Sequence, residues 1–207
     1  MGAFETMSRD NNNGKILELS PEKCYTRYLY EDITIGNRNS LKEHQQDIGV
    51  TSKFWNIHTG DIILDIGAGF GAYTLIALAR GAHFVFCFER DREVAAALRS
   101  NIQINKLLLA SERTAVSTWS LDDNIKSIDK YLSELSYPIT RLDWLKIHLD
   151  SVADTRNVLY GAKQTIQRYA PNILTADIEP PPLPRAYAHW TLPNDSNLGH
   201  TLLVPVR

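Results

Sequence analysis

The stretch Asp61-Ile62-Ile63-Leu64-Asp65-Ile66-Gly67-Ala68-Gly69-Phe70-Gly71 decides the fold. Its first half is an apolar run without alternation, which is how a strand buried on both faces of a sheet reads. Its second half puts glycine at 67, 69 and 71, where a chain leaving a strand can turn sharply and let a ligand approach the backbone. Tyr73 to Arg80 is predicted as a helix that Gly81 stops. Strand, glycine turn and helix in this order mark an α/β domain with a nucleotide-type site at the carboxyl edge of its sheet.

Downstream, short apolar runs alternate with segments of helical period, the pattern of βα units and a mostly parallel sheet. Phe84 to Phe88 is predicted as the second strand, and Asp91 opens a helix whose Val94, Leu98 and Ile102 form one apolar stripe. Arg113–Thr118, Leu142–Leu149 and Asn172–Ile178 are predicted strands, with a helix over Ile128–Leu135. One further helix carries Val158, Leu159, Ala162, Ile166 and Tyr169 inward. Pro180-Pro181-Pro182 closes the fifth strand, because proline cannot continue a ladder. The remainder is predicted as a loop and one last strand over Thr201–Val206.

At 207 residues the chain suits one α/β domain with extensions. Residues 1–22 are predicted as a polar, mobile lead-in, 23–59 as an extension that packs as short helices or a cap, and 60–207 as the core. The 22 basic and 24 acidic residues leave a net charge of −2 without a basic cluster, so nothing recruits nucleic acid by charge alone. Cys24 and Cys87 lie far apart and read as packed thiols. No apolar run reaches the ~18 residues of a membrane span and no signal pattern opens the chain, so a cytoplasmic protein is expected. Met1-Gly2 to Thr6 fits a loose myristoylation pattern, and a single acyl chain anchors only marginally.

Two features narrow the ligand. The spacing is GxGxG with Ala72 at the position where dinucleotide-binding turns carry their third glycine. Asp65 sits within the turn, where a pyrophosphate would meet like charge, whereas S-adenosylmethionine brings an ammonium and a sulfonium. Glu89 ends the second strand, where a carboxylate accepts both hydroxyls of a ribose. Glu89 serves any nucleoside and does not choose between the two cofactors.

The segment from Leu64 to Leu75 resembles motif I of class I methyltransferases, particularly the FkbM-type group. Phe88-Glu89-Arg90-Asp91 resembles that group's F-E-P-D, Leu98 through Asn101 to Asn105 its L-x-x-N-x-x-x-N, and Thr114-Ala115-Val116-Ser117 its A-V-S. Ser127 to Leu132 resembles S/T-L-D-D-x-L, and Val158 to Ala162 and Ala170 to Leu174 resemble V-L-x-G-A and K-P-x-L. The likeness runs in order over roughly residues 60–180. It implies a Rossmann-like methyltransferase fold using S-adenosylmethionine, with Asp65, Gly67, Ala68, Gly69, Gly71, Tyr73, Thr74, Glu89, Arg90, Ala115, Val116 and His148 at the cofactor. It departs where Trp144-Leu145-Lys146-Ile147-His148-Leu149-Asp150 replaces I-K-I-D-V-E-G, where two more residues precede Val158, and where the linker from Ser117 to Ser127 is short.

His148 and Asp150 lie two apart at the end of the fourth strand and so share a face, which makes them the expected catalytic pair. His148 would take a proton near neutral pH and Asp150 would orient it or the substrate. The structural alternative has His148 contacting cofactor and Asp150 capping the next helix. No metal is expected; one would need an added oxygen ligand, for which Asp177 and Glu179 are candidates. Glu43 and His44, and Tyr187, His189 and Trp190, read either as site walls or as surface and packing.

The resemblance implies O-methylation of a small-molecule or glycan hydroxyl. Methylation of RNA or another nucleic acid is the alternative, since Ala77–Ala82 and the N-x-x-x-N helix also occur in RNA methyltransferases. The N/D-P-P-Y/F motif of base-amine methylation is absent after the fourth strand, where Leu149-Asp150-Ser151-Val152 stands; Glu179-Pro180-Pro181 comes one strand too late. A cofactor-binding module without catalysis is the third reading, and oligomeric state leaves no trace in the sequence.

Overall fold

The computed structural model describes residues 16–18, 25–28, 33–36, 54–105, 112–118, 127–136, 138–149, 151–176, 179–192 and 200–206. Three strands, β1 (Ile16–Glu18), β2 (Tyr25–Tyr28) and β3 (Ile33–Gly36), pair antiparallel in a small sheet. Strands thus occupy part of the segment expected to hold a mobile lead-in and short helices or a cap. Cys24, Glu43 and His44 lie outside the described residues.

The main sheet has seven strands in the order β6-β5-β4-β7-β8-β10-β9. They are β4 (Ile62–Ile66), β5 (Phe84–Glu89), β6 (Thr114–Thr118), β7 (Trp144–Ile147), β8 (Asn172–Ala176), β9 (Tyr187–Leu192) and β10 (His200–Pro205). The first five in this order pair in parallel, and β10 runs antiparallel to both β8 and β9. This is the mostly parallel Rossmann-like sheet expected from the sequence. The strand order reverses between β4 and β7, so a crevice opens at their carboxyl ends, where ligands bind in sheets of this kind.

Among the described residues five helices connect the strands: α1 (Ala72–Ala79), α2 (Arg92–Ile104), α3 (Ile128–Ser133), α4 (Val152–Gly161) and α5 (Lys163–Tyr169). On one face Ile63, Val85, Cys87, Trp144 and Leu174 pack with Trp55, Leu75, Ile76 and Leu98. On the other Leu64, Ile66, Phe86, Leu145, Ile147 and Ile173 pack with Ile128, Leu132, Val158 and Ile166. Side chains alternate between the two cores along each strand, which is why these strands read as continuous apolar runs.

The single helix expected across residues 158–169 is broken at Ala162. The Asp129 carboxylate on α3 explains the break, accepting hydrogen bonds from Gln164 N (2.9 Å), Thr165 N (2.8 Å) and Thr165 Oγ1 (2.7 Å). A side chain from another helix thereby caps α5, satisfying amides that an unbroken helix would have bonded internally.

The second departure is β9, in a stretch expected to be loop. The hairpin partner β10 draws it into the sheet, with Trp190 opposite Leu202 and Tyr187 opposite Pro205. Between β8 and β9 the chain crosses on Pro180-Pro181-Pro182-Leu183-Pro184, with Pro181 buried and Leu183 packed on the second core. Among the described residues no helix is long and apolar enough to cross a membrane.

Removing the interhelix cap should be measurable. Asp129→Ala is expected to lower the unfolding free energy by about 1–2 kcal/mol in urea denaturation; an unchanged midpoint would show that the break at Ala162 does not depend on this carboxylate.

Candidate active site

The glycine turn lies at the reversal point. Gly67 N and Ala68 N both donate to Phe88 O, at 2.9 and 3.1 Å, which seats the turn on the end of β5. Gly67 has φ 68°, and a Cβ there would stand 1.9 Å from His148 O. The end of β7 therefore occupies the space a side chain would need, and glycine is required twice over. Gly71, with φ 92°, precedes α1. The first turn of that helix carries no acid, so its free amides present partial positive charge at the turn.

Beneath the turn is a buried polar cluster. Asp65 is fully buried, and its Oδ1 lies 2.8 Å from Lys146 Nζ, which is itself 3% exposed. Lys146 Nζ also donates to Gly67 O at 3.0 Å and lies 4.7 Å from the centre of the Tyr73 ring. Thr74 Oγ1 donates to Asp65 Oδ2 at 2.7 Å and is 3.3 Å from Cys87 Sγ. Burial, and next the Asp65 charge, push the Cys87 thiol well above its ordinary range, so it stays protonated.

This geometry corrects the charge reasoning drawn from sequence. Asp65 does not face the ligand with an uncompensated charge, because Lys146 neutralises it inside the protein. Tyr73 and Thr74 likewise pack under the turn, Tyr73 against Trp55 with ring centres 4.9 Å apart. Lys146 was legible as a lone cation in an apolar strand, yet the sequence names no partner for it.

The rim is built from β5 and α2. Glu89 accepts from Gly69 N through Oε2 (2.9 Å) and from Asp91 N through Oε1 (3.0 Å). A carboxylate has about four acceptor positions, so two remain for a ribose diol. Asn101, 2% exposed, donates from Nδ2 to Phe70 O at 2.8 Å, and Asn105 Nδ2 donates to Asn101 O at 2.6 Å. The N-x-x-x-N spacing thus ties α2 to the turn. Arg90 is exposed beside Glu89. Ala115 and Val116 pair with Phe86 and Cys87, and their side chains enter opposite cores.

On the other side of the turn stands His148, half-buried, its N–H donating to Ile66 O at 2.9 Å. Its ring stacks on that of His200, a residue the sequence reading passed over, with centroids 6.0 Å apart and planes at 29°. Asp150 and Asp177 lie outside the described residues. Glu179 is exposed, and its carbonyl accepts from Arg156. Tyr187 donates its hydroxyl to Pro171 O at 2.9 Å, at the amino end of β8 and away from the turn. Trp190 is 61% exposed on β9. Among the described residues no three His, Cys, Asp or Glu side chains gather as metal ligands.

The model of the family "Conserved hypothetical protein 95" matches residues 49–130, the part of the chain that holds the turn and its rim. The chain has the α/β Rossmann-like methyltransferase fold. A protein from Haemophilus influenzae described as a methylase is 21% identical, with a TM-score of 0.53 over 76% of this chain and 87% of that one. One from Escherichia coli described as a methyltransferase is 16% identical, with a TM-score of 0.57 over 85% and 94%. One from Clostridium thermocellum described as an rRNA methylase is 12% identical, with a TM-score of 0.55 over 83% and 98%. No curated protein matches the chain significantly. At identities of 12–21% these structures share the fold of this chain.

The buried pair can be tested apart from any ligand. Lys146→Met and Asp65→Asn should each lower stability by about 3–5 kcal/mol, since each strands a buried partner. The double variant should cost clearly less than the sum of the two. Additive losses in urea denaturation would mean the two groups do not interact.

Proposed function

We propose that this chain is an S-adenosylmethionine-dependent methyltransferase whose acceptor is a nucleic acid, RNA in the first place. The observation that carries the cofactor is the preorganised turn: α1 amides above, Glu89 with two acceptor positions at the ribose side, and a neutral Asp65–Lys146 pair below. The residues fit such a nucleoside, with Glu89 for the ribose and the turn backbone for the remainder of the molecule. The cofactor supplies an activated methyl group. The chain's own residues hold the acceptor in line with it, an effect worth about 7–11 kcal/mol when alignment is good.

The nucleic-acid acceptor is supported by two structures described as rRNA methylases, from Clostridium thermocellum and Streptococcus thermophilus, that share the fold. Arg92, exposed where α2 begins, would supply positive charge for a phosphate. His148, whose backbone carbonyl lies against Gly67 at the end of β7, is proposed to accept the proton an acceptor releases. Asp150 is proposed to assist it. A hydroxyl of a small molecule or glycan is the second reading. It rests on the FkbM-like order of motifs and on Leu149-Asp150-Ser151-Val152 standing where base-amine methylases carry N/D-P-P-Y/F.

Calorimetry with S-adenosylhomocysteine should show one site, weakened about 10–100-fold in Glu89→Ala by loss of hydrogen bonds to a charged group. Labelled methyl should then pass from S-adenosylmethionine to RNA. Transfer only to hydroxyl compounds would favour the second reading, binding without any transfer a module that has lost catalysis. Binding of NAD in place of S-adenosylhomocysteine would overturn the proposal.

A further inference from the structure

His200 is the first residue of β10 and is 6% exposed. It pairs with Ala176 at the end of β8, while Ile147 of β7 pairs with Thr175. His148, one residue beyond Ile147, is therefore level with Ala176 and with His200. The two imidazoles lie on one line across β7, β8 and β10, at the carboxyl edge that holds the glycine turn. Their rings are 29° from parallel with centroids 6.0 Å apart. Sheet pairing on two sides fixes His200, since it also faces Leu192 on β9. His148 follows the last paired residue of its strand, and its N–H donates to Ile66 O.

We propose that His200 is the positioning residue for His148. Its ring, held in the sheet, sets the angle of the His148 imidazole beside Gly67 and presents a π-face to the cation that forms there. The inference rests on the reading of His148 as the base. As the acceptor takes the methyl group, the S–C bond breaks with its electron pair left on sulfur, the bond from acceptor to carbon forms, and the acceptor's proton passes to a ring nitrogen of His148. The imidazolium so formed lies within the ~6 Å at which an aromatic face attracts a cation. Among the described residues the charged groups on the same face of the adjoining strands are Lys146 and Asp65, which neutralise each other. His189 is exposed on β9 and opposite Leu203, on the other face.

The test uses the whole chain and three variants, His200→Phe, His200→Leu and His200→Gln, each checked for an intact fold by its urea midpoint. Nitrogen-15 spectra of labelled histidine report the His148 ring directly, with and without S-adenosylhomocysteine. Wild type and His200→Phe should give one sharp set of His148 ring signals, and His200→Leu and His200→Gln shifted or broadened ones. With an RNA acceptor, kcat should fall about 10-fold in the leucine and glutamine variants with KM unchanged, and the acid limb of the pH profile should move. The phenylalanine variant should keep kcat within about 3-fold. Identical His148 signals in all four proteins would overturn the proposal, as would full kcat in His200→Leu. Failure of wild type to bind S-adenosylhomocysteine would instead refute the methyltransferase reading, leaving the ring signals to decide the role of His200.

Discussion

The carboxylate of Asp65 and the ammonium of Lys146, 2.8 Å apart and almost wholly out of water, bind β4 to β7 beneath the glycine turn. Neither charge would be tolerable there alone, because an isolated buried ion costs several kcal/mol. Lys146 has more to do than neutralise. Its second hydrogen bond goes to Gly67 O and its third side faces the Tyr73 ring, so the same ammonium fixes the turn, the first helix and the strand that carries His148. The carbonyl of His148 in turn fills the space beside Gly67. The glycine turn and the end of β7 are thereby parts of one junction at the point where the strand order reverses.

That arrangement changes what the loop can be said to select. An unpaired Asp65 would repel phosphate; a paired one leaves selection to the shape of the turn, the amides of α1 and the carboxylate of Glu89. Glu89 is already tied to two backbone amides, so it approaches a ligand with its position set. Such preorganisation reduces the ordering that binding must otherwise impose.

Much of the main sheet was legible because its strands are buried on both faces, and the motifs that surround the turn have visible physical duties. Asn101 holds Phe70, Asp91 caps α2, Ser127 caps α3 and Asp129 caps α5. What escaped was set by partners distant in sequence. Nothing local to Ala162 reveals that a carboxylate on another helix will interrupt the chain there. The strand β9 exists because β10 pairs with it, and Tyr-Ala-His-Trp alone reads as loop or wall. Lys146 and His200 gained their meaning only when β7 was laid beside β4 and, through β8, beside β10.

The junction is tested most directly by hydrogen exchange of the backbone amides of residues 67–71, with and without S-adenosylhomocysteine. A preorganised cofactor turn predicts that the ligand slows exchange there by about 10-fold or more, and that Lys146→Met speeds exchange in the free protein. Exchange unaltered by the ligand, or slowed by NAD instead, would contradict the account.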